Sequence, residues 1–150
     1  MPRLRKLKKD WTSLRIEHRP SEIWRFRELL PIVDFDKIVT LGEGGAPLLN
    51  CPDIARELGV KEFYVLNDGC QPSGSLKDRS IAITATKAKE FGYHVLSCDS
   101  TGNKAASTAA YAARAGMESV VFCPYDTPAA KLAQAVFYGA HLVRVKGHYS

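Results

Sequence analysis

The sequence predicts an α/β fold built on a parallel β-sheet. From residue 34 onward, short runs rich in valine, leucine and aromatic residues alternate with longer segments that carry helical start and stop signals. A strand–helix–strand–helix–strand order is typical of right-handed βαβ units, whose strands run parallel in one sheet. The apolar content of 45% and charged content of 25% are those of a globular chain with a packed core.

Local signals bound each predicted element. The predicted strands are Glu62–Asn67, His94–Asp99, Ser119–Cys123 and His141–Lys146. The predicted helices are Glu22–Leu30, Pro52–Leu58, about Leu76–Phe91, about Lys104–Ala115 and a segment after Thr127. Ser75 is the expected N-cap of the longest helix, and Asp78 is expected to complete a capping box. Pro128 is expected at the first position of the last helix. The expected helix terminators are Gly59, Gly92, Gly116 and Gly139.

The two ends of the chain differ from the region between them. Residues 4–14 predict an amphipathic arm with little stability of its own. The chain ends at Ser150, directly after a predicted strand and without a following helix. Because a parallel sheet that stops on a bare strand usually continues, the sequence is interpreted as truncated.

The net charge of +5 comes entirely from the N-terminal arm. Five basic residues precede Asp10, and the charges from Asp10 onward sum to zero. These five are Arg3, Arg5, Lys6, Lys8 and Lys9. No aromatic side chain is interleaved with the lysines, so the arm is interpreted as a solvated terminus and no nucleic-acid partner is expected.

The cysteines and the hydropathy pattern indicate a reducing compartment. The four cysteines form no C-x-x-C pair, so no metal site is expected. Cys98 and Cys123 lie in apolar runs, where a free thiol behaves as a small core residue. No run of eighteen apolar residues is present, and no apolar segment follows the basic arm as in a secretory signal. A cytoplasmic protein without a membrane span is therefore expected.

The first candidate for chemistry is Lys77, at the predicted junction between a Pro/Gly/Ser loop and a helix. Unpaired backbone N–H groups and the helix dipole disfavour an ammonium in the first helical turn. A lysine whose charged form is disfavoured is a better nucleophile, as in Schiff-base lysines. The alternative is an exposed lysine at a helix start that pairs with Asp78, and position alone leaves both interpretations open.

Two glycine-containing loops are further candidates. Ser100, Thr101, Gly102 and Asn103 stand between a predicted strand and an alanine-rich helix, where backbone N–H groups can face an anion. The alternative is an ordinary helix cap formed by Ser100 or Asn103. The segment 41–48 (LGEGGAPL) places three glycines around one acid, which predicts a tight turn. By itself this segment indicates only a loop.

In order along the chain, GEGGAPL, PSGSLKDR and STGN resemble the fold-type-II pyridoxal-phosphate enzymes, the group around threonine synthase, threonine dehydratase and cysteine synthase. The resemblance covers about residues 24–147. Within the group, the lead-in WRFRELLP at residues 24–31 followed by LGEGGAPL is most similar to the threonine synthases. The resemblance implies a parallel three-layer αβα sheet of the tryptophan-synthase-beta-like fold, incomplete at the C-terminus. It also implies three regions: an N-terminal arm and helix (1–33), part of the large cofactor domain (34–92) and a truncated small α/β domain (93–150).

The resemblance assigns roles to individual residues. Lys77 matches the Schiff-base lysine that also shuttles protons, and Asn103 matches the asparagine that hydrogen-bonds the cofactor's phenolic oxygen. Ser75 is expected beside the cofactor or a substrate phosphate. Asp78 and Arg79 are expected to be structural partners of the helix start. The loop that is expected to receive the substrate carboxylate comprises Ser100, Thr101 and Gly102.

Two positions depart from the family pattern. Leu76 stands where an aromatic residue is usual, and Lys104 follows the asparagine where a small or hydroxylated residue is common. Lys104 could bind an anionic substrate group or alter specificity. In the family, the loop that holds the cofactor phosphate and the residue facing the pyridine nitrogen come later in the chain, beyond residue 150. The cysteine ribbon that begins some relatives is also missing.

The resemblance implies an enzyme that converts O-phosphohomoserine and water to threonine and phosphate. Threonine or serine ammonia-lyase and cysteine or cysteate synthase are alternatives with the same cofactor. Two alternatives are not enzymes: a truncated chain without catalysis, and a plain βαβ binding module. The expected partners are an amino-acid substrate and either a second copy of the chain or a complementing C-terminal chain.

Overall fold

The computed structural model describes residues 16–147, so the predicted arm at residues 4–14 lies outside the described residues. We number the α-helices and strands of this part in chain order. The helices are α1 (Pro52–Leu58), α2 (Lys77–Glu90), α3 (Asn103–Ala115) and α4 (Ala129–Phe137). The strands are β1 (Leu48–Asn50), β2 (Tyr64–Leu66), β3 (Val95–Asp99), β4 (Glu118–Pro124) and β5 (His141–Val145). Short 3-10 helices occur at Ile16–His18, Ile23–Phe26, Phe35–Lys37 and Asp68–Cys70.

The C-terminal half forms the predicted parallel sheet. Strands β3, β4 and β5 lie in that order and run parallel, with α3 and α4 as the two crossovers. Side chains of β3 and β4 alternate between buried and exposed, so one face of the sheet is covered and the other is open. The covered face packs against small residues of both helices, which allow a close approach. This cluster comprises Cys98, Ala105, Ala109, Val121 and Ala135.

The strand predicted at Glu62–Asn67 is present, but its pairing differs from the βαβ pattern. It is β2, and it runs antiparallel to β1, with Leu48 opposite Leu66 and Asn50 opposite Tyr64. Backbone hydrogen bonds beyond the two strands extend the same pairing. The prediction missed this arrangement because β1 is only three residues long and has no turn signal that joins it to β2.

Most predicted helix ends are confirmed, and two are shifted. Gly116 follows α3 with a φ of 70°, a left-handed conformation that glycine adopts without strain. The N-cap of α2 is Leu76 rather than Ser75, and the predicted capping box is wrong because the Asp78 carboxylate binds Ser73 instead. Pro128 is the N-cap of α4 rather than its first residue.

The predicted helix at Glu22–Leu30 is wrong in length and type. Only Ile23–Phe26 is helical, as a single 3-10 turn. The Ile23 amide donates to the Glu43 backbone carbonyl, which ties the start of the segment to a distant loop. Pro31 disfavours helical geometry at Leu30, which was the expected last residue of the helix.

The N-terminal segment packs against α2 and α3. Trp24, Ile32 and Val39 are buried together with apolar side chains of α2 and with Tyr111 of α3. This cluster positions α2 beside α3 and so brings the starts of the two helices to one side of the molecule. Within residues 16–147, no helix is long and apolar enough to cross a membrane. The same residues contain no group of three His, Cys, Asp or Glu side chains that could hold a metal ion.

Candidate functional site

A buried carboxylate joins the lysine loop (residues 71–76, which lead into Lys77) to α3. Asp78 is fully buried, and its carboxylate accepts hydrogen bonds from the Ser73 amide (2.6 Å) and the Ser107 hydroxyl (2.6 Å). The Ser73 hydroxyl donates a third bond at 2.5 Å. Three donors satisfy most of the acceptor capacity that burial would otherwise leave unpaired. The expectation that Asp78 has a structural role at the helix start agrees with this geometry.

Lys77 is the first residue of α2 and is exposed. Its backbone amide donates to the Ser75 hydroxyl oxygen at 3.2 Å, and Ser75 itself is buried. Among the described residues, no hydrogen bond or ion pair engages the Lys77 amine, so Asp78 does not pair with it. Asp78 directs its carboxylate into the protein, and the neighbouring Arg79 pairs with Asp68 at 2.8 Å. The lysine amine is therefore available to a ligand.

Asn103 begins α3, directly after the asparagine loop (residues 100–102). Neither of the expected caps forms, because Gly102 is the N-cap and no side chain caps the helix. The buried Ser100 hydroxyl instead accepts from the Gly102 amide at 3.2 Å. Asn103 and Ser107 are four residues apart, so they share a helix face about 6 Å apart along the axis. Since Ser107 binds Asp78, the helix starts that carry Lys77 and Asn103 are neighbours.

A cavity of about 370 Å³ opens between the starts of α3 and α4, and we call it the α3–α4 cavity. Its lining residues are Thr101, Gly102, Asn103, Ala106, Ala130, Lys131 and Gln134. The Gln134 amide also donates to the Ser73 carbonyl at 3.0 Å, so the cavity borders the lysine loop. Ser75, Lys77, Ser100 and Lys104 do not line it.

Lys104, the second candidate lysine, is held by a neighbouring carboxylate. Its amine lies 2.7 Å from the Asp99 carboxylate, and both side chains are largely exposed. Lys104 therefore faces the end of β3 and not the α3–α4 cavity. An anionic substrate group would have to compete with Asp99 for this amine.

The segment 41–48, which its sequence indicates only as a loop, carries a buried hydrogen-bond network. The Glu43 carboxylate is fully buried and accepts bonds from the Trp24 indole (2.5 Å) and the Tyr111 hydroxyl (2.7 Å). The Leu41 amide and the Thr40 hydroxyl donate two more. Burial and the adjacent Glu43 carboxylate raise the pKa of Tyr111 well above its ordinary value, which keeps its hydroxyl a donor.

Two close backbone contacts keep the same segment against its neighbours. The Gln71 side-chain amide both accepts from the Gly44 N–H (2.8 Å) and donates to the Gly44 carbonyl (3.1 Å). At Gly45, where φ is 48°, an added Cβ would lie 2.4 Å from the Ser21 carbonyl oxygen. The glycines are thus needed for the close approach to residues 21–23, and Gln71 extends the network to the lysine loop.

Sequence reasoning singled out both candidate loops but missed the residues that join them. Glu43, Gln71, Ser107 and Gln134 are these linking residues. The contacts by which they join separate segments connect residues 19 to 68 positions apart, beyond the reach of a local motif.

Comparisons with solved structures define the class of the fold. The structure is similar to a pyridoxal 5'-phosphate-dependent aspartate racemase, with a TM-score of 0.61 and 28% identity over 67% of this chain and 33% of that one. It also superimposes on Escherichia coli diaminopropionate ammonia lyase, with a TM-score of 0.63 and 16% identity over 75% of this chain and 37% of that one. The second likeness concerns the fold alone. The architecture is that of the fold-type-II enzymes.

A family model described as pyridoxal-phosphate-dependent enzyme matches residues 39–150, and the chain belongs to this family. Among curated relatives, the threonine synthase of Methanocaldococcus jannaschii is 48% identical over 136 residues, or 90% of this chain and 34% of that protein. The threonine synthase of Halalkalibacterium halodurans is 44% identical over 125 residues, or 83% of this chain and 35% of that protein. The chain spans about a third of the length of these relatives.

The residues present suit the family's cofactor, pyridoxal phosphate. Its aldehyde requires a primary amine without a competing partner, and Lys77 provides one at a helix start. Its phenolic oxygen requires a polar side chain nearby, and the exposed Asn103 side chain lies at the start of the adjacent helix α3. This donor set matches the aldehyde and ring portion of the cofactor.

Proposed function

We propose that this chain provides the lysine-bearing part of a threonine synthase, a lyase that converts O-phosphohomoserine and water to threonine and phosphate. The observation that carries the proposal is the bond between Asp78 and Ser107, which fixes the helix start of Lys77 beside that of Asn103. Similarity to threonine synthases across 90% of the chain supports the choice of reaction within the family.

Each residue is proposed to act through the group it presents. When bound, pyridoxal phosphate supplies an electron sink for the carbons next to the substrate nitrogen. Lys77 would hold the cofactor covalently and would move protons on and off the substrate's α and β carbons. Asn103 would hydrogen-bond the cofactor's phenolic oxygen. Ser75 keeps the backbone of Lys77 in place through its hydroxyl, which accepts from the lysine amide.

The substrate carboxylate is proposed to bind at the asparagine loop. The first backbone N–H groups of a helix form a site for an anion, and no side chain caps the start of α3, although the Gly102 amide already donates to the Ser100 hydroxyl. Ser100, Thr101 and Gly102 are the proposed contacts. Lys104 would join them only by leaving Asp99, so we assign it a secondary role in substrate binding.

The first test is chemical labelling of the lysine. Protein that also carries the remaining two thirds of the relatives' length, as one chain or as a complementing chain, is mixed with pyridoxal phosphate and reduced with borohydride. Peptide mass mapping should place the label on Lys77. A label on another lysine, or none, would contradict the proposal.

Lys77→Ala should lower kcat by about a thousandfold or more, because both covalent catalysis and proton transfer depend on the amine. Turnover is measured as phosphate release from O-phosphohomoserine. Lys89→Ala is the matched control, since Lys89 lies on the same helix, is exposed and is outside the site. Ammonia release from threonine or serine without phosphate release would identify an ammonia-lyase instead.

A further inference from the structure

The α3–α4 cavity has an unusual charge balance for a substrate site. Of its seven lining residues, Lys131 is the only charged one, and no carboxylate lines the cavity. The other polar side chains, Thr101, Asn103 and Gln134, can all donate hydrogen bonds. A cavity that presents one cation, several donors and no anion favours a negatively charged ligand.

Lys131 is also uncompensated within the protein. It is exposed, and among residues 16–147 it makes no ion pair with a carboxylate. It lies in the first turn of α4, where the helix dipole opposes a positive charge, and no side-chain cap offsets this. Lys104 differs in both respects, because it pairs with Asp99 and lies outside the cavity.

We propose that the α3–α4 cavity binds a phosphate monoester through Lys131, and that this group is the phosphate of the substrate. The assignment to the substrate rests on the proposed function. The asparagine loop is the proposed site of the substrate carboxylate, and its last residues line the same cavity. One molecule with a carboxylate and a phosphate can therefore contact the loop and Lys131 together. The Gln134 bond to Ser73 keeps the cavity next to the lysine loop, where the chemistry is proposed to occur.

The site is tested first without catalysis, by titrating this chain with inorganic phosphate and following backbone amides by NMR. Amides at residues 101–103 and 130–131 should shift together. Lys131→Gln should weaken phosphate binding by about tenfold, because one charge-assisted hydrogen bond is lost. Lys131→Arg should retain most of the affinity, and Lys89→Gln should retain all of it. Equal affinity in the wild type and in Lys131→Gln would overturn the proposal.

A second measurement separates the two possible sources of phosphate. In protein that also carries the remaining two thirds of the relatives' length, Lys131→Gln should raise KM for O-phosphohomoserine by about tenfold. The affinity for pyridoxal phosphate should be unchanged. Weaker cofactor binding with an unchanged KM would overturn the assignment to the substrate. If the wild type does not turn over O-phosphohomoserine but Lys131→Gln still loses phosphate affinity, the proposed function fails and the phosphate site stands.

Discussion

The two sheets of the molecule are stabilised in different ways. The parallel sheet of β3, β4 and β5 buries alternate side chains against α3 and α4, whereas all six residues of the antiparallel β1–β2 pair are exposed. Two equivalent strand leucines illustrate the contrast, since Leu96 in β3 is 6% exposed and Leu48 in β1 is 64% exposed. A two-stranded sheet without a covered face contributes little stability by itself.

The segments before the parallel sheet share an apolar cluster with α2 and α3 and add buried polar contacts to it. Glu43 joins the N-terminal segment to α3, and Asp78 joins the lysine loop to α3. An ion pair between Arg19 and Glu28 braces the residues around Trp24. Apolar burial thus secures the scaffold, while buried carboxylates set the positions of the loops that carry the candidate site. Three variants test this contrast, in order of decreasing effect.

The largest effect is expected from Leu96→Ala. Removing a buried leucine side chain from the parallel sheet should lower the free energy of unfolding by about 2–5 kcal/mol. Leu48→Ala is the matched control in the antiparallel pair and should change it by less than about 0.5 kcal/mol. Urea denaturation of both variants measures the difference. Equal losses would show that the two sheets do not differ in this way.

A smaller effect is expected from Glu43→Gln. Donors face both oxygens of the Glu43 carboxylate. In glutamine, one of these oxygens is replaced by an NH2 group that cannot accept, so at least one buried donor is left unpaired. The free energy of unfolding should fall by about 1–3 kcal/mol, again measured in urea. Tyr111→Phe, which removes one donor and leaves the carboxylate in place, should cost less. A neutral Glu43→Gln would show that the network does not support the loops.

The smallest effect is expected from the Arg19–Glu28 pair, and it depends on pH. The hydrogen bonds from Arg19 lower the pKa of Glu28 from its ordinary 4.5 to about 2, with burial acting in the opposite direction. Because the folded-state pKa is the lower one, this stabilisation is present above pH 4.5 and is lost as the pH falls toward 2.

A pKa shift of this size corresponds to at most about 3 kcal/mol in the free energy of unfolding, and solvent screening reduces this contribution to about 1 kcal/mol. The side chains of Arg19 and Glu28 are 21% and 17% exposed, so solvent still reaches the pair, and ion pairs near the surface contribute about 1 kcal/mol or less. Glu28→Gln should therefore be less stable than the wild type at pH 7 and equal to it near pH 2. The urea midpoints of the wild type and of Glu28→Gln at several pH values test this prediction. If the two midpoints differ by the same amount at every pH, the ion pair is not the source of the difference.

The sequence predicted the parallel part of the fold well because its signals are local. Glycines end α1 and α3 directly, and alternating burial marks β3 and β4. The β1–β2 pairing was missed because it depends on contacts between residues up to 18 positions apart. The segment 22–30 was predicted as a helix from its composition, but only Ile23–Phe26 forms a 3-10 turn, and the first amide of that turn donates to the distant Glu43 carbonyl.

The candidate site was predictable in its loops and not in its supports. PSGSLKDR and STGN mark where strands or turns lead into helices, and the structure has helix starts at Lys77 and Asn103. The capping box failed because Asp78 satisfies Ser73 and the distant Ser107 together, which no local pattern encodes. Lys131 gave no sequence signal, since it reaches the α3–α4 cavity only through the packing of α4 beside α3.

Because Glu43 contacts Trp24 and Tyr111, substitutions at these three distant positions are not independent of one another. Its carboxylate accepts from the Trp24 indole and the Tyr111 hydroxyl, so a change at Glu43 leaves both donors unpaired, and a change at Trp24 or Tyr111 removes one donor from the buried carboxylate. Substitutions at these positions should therefore arise together in divergent homologues, as sets that either retain a buried acid with its donors or replace all of them with apolar side chains.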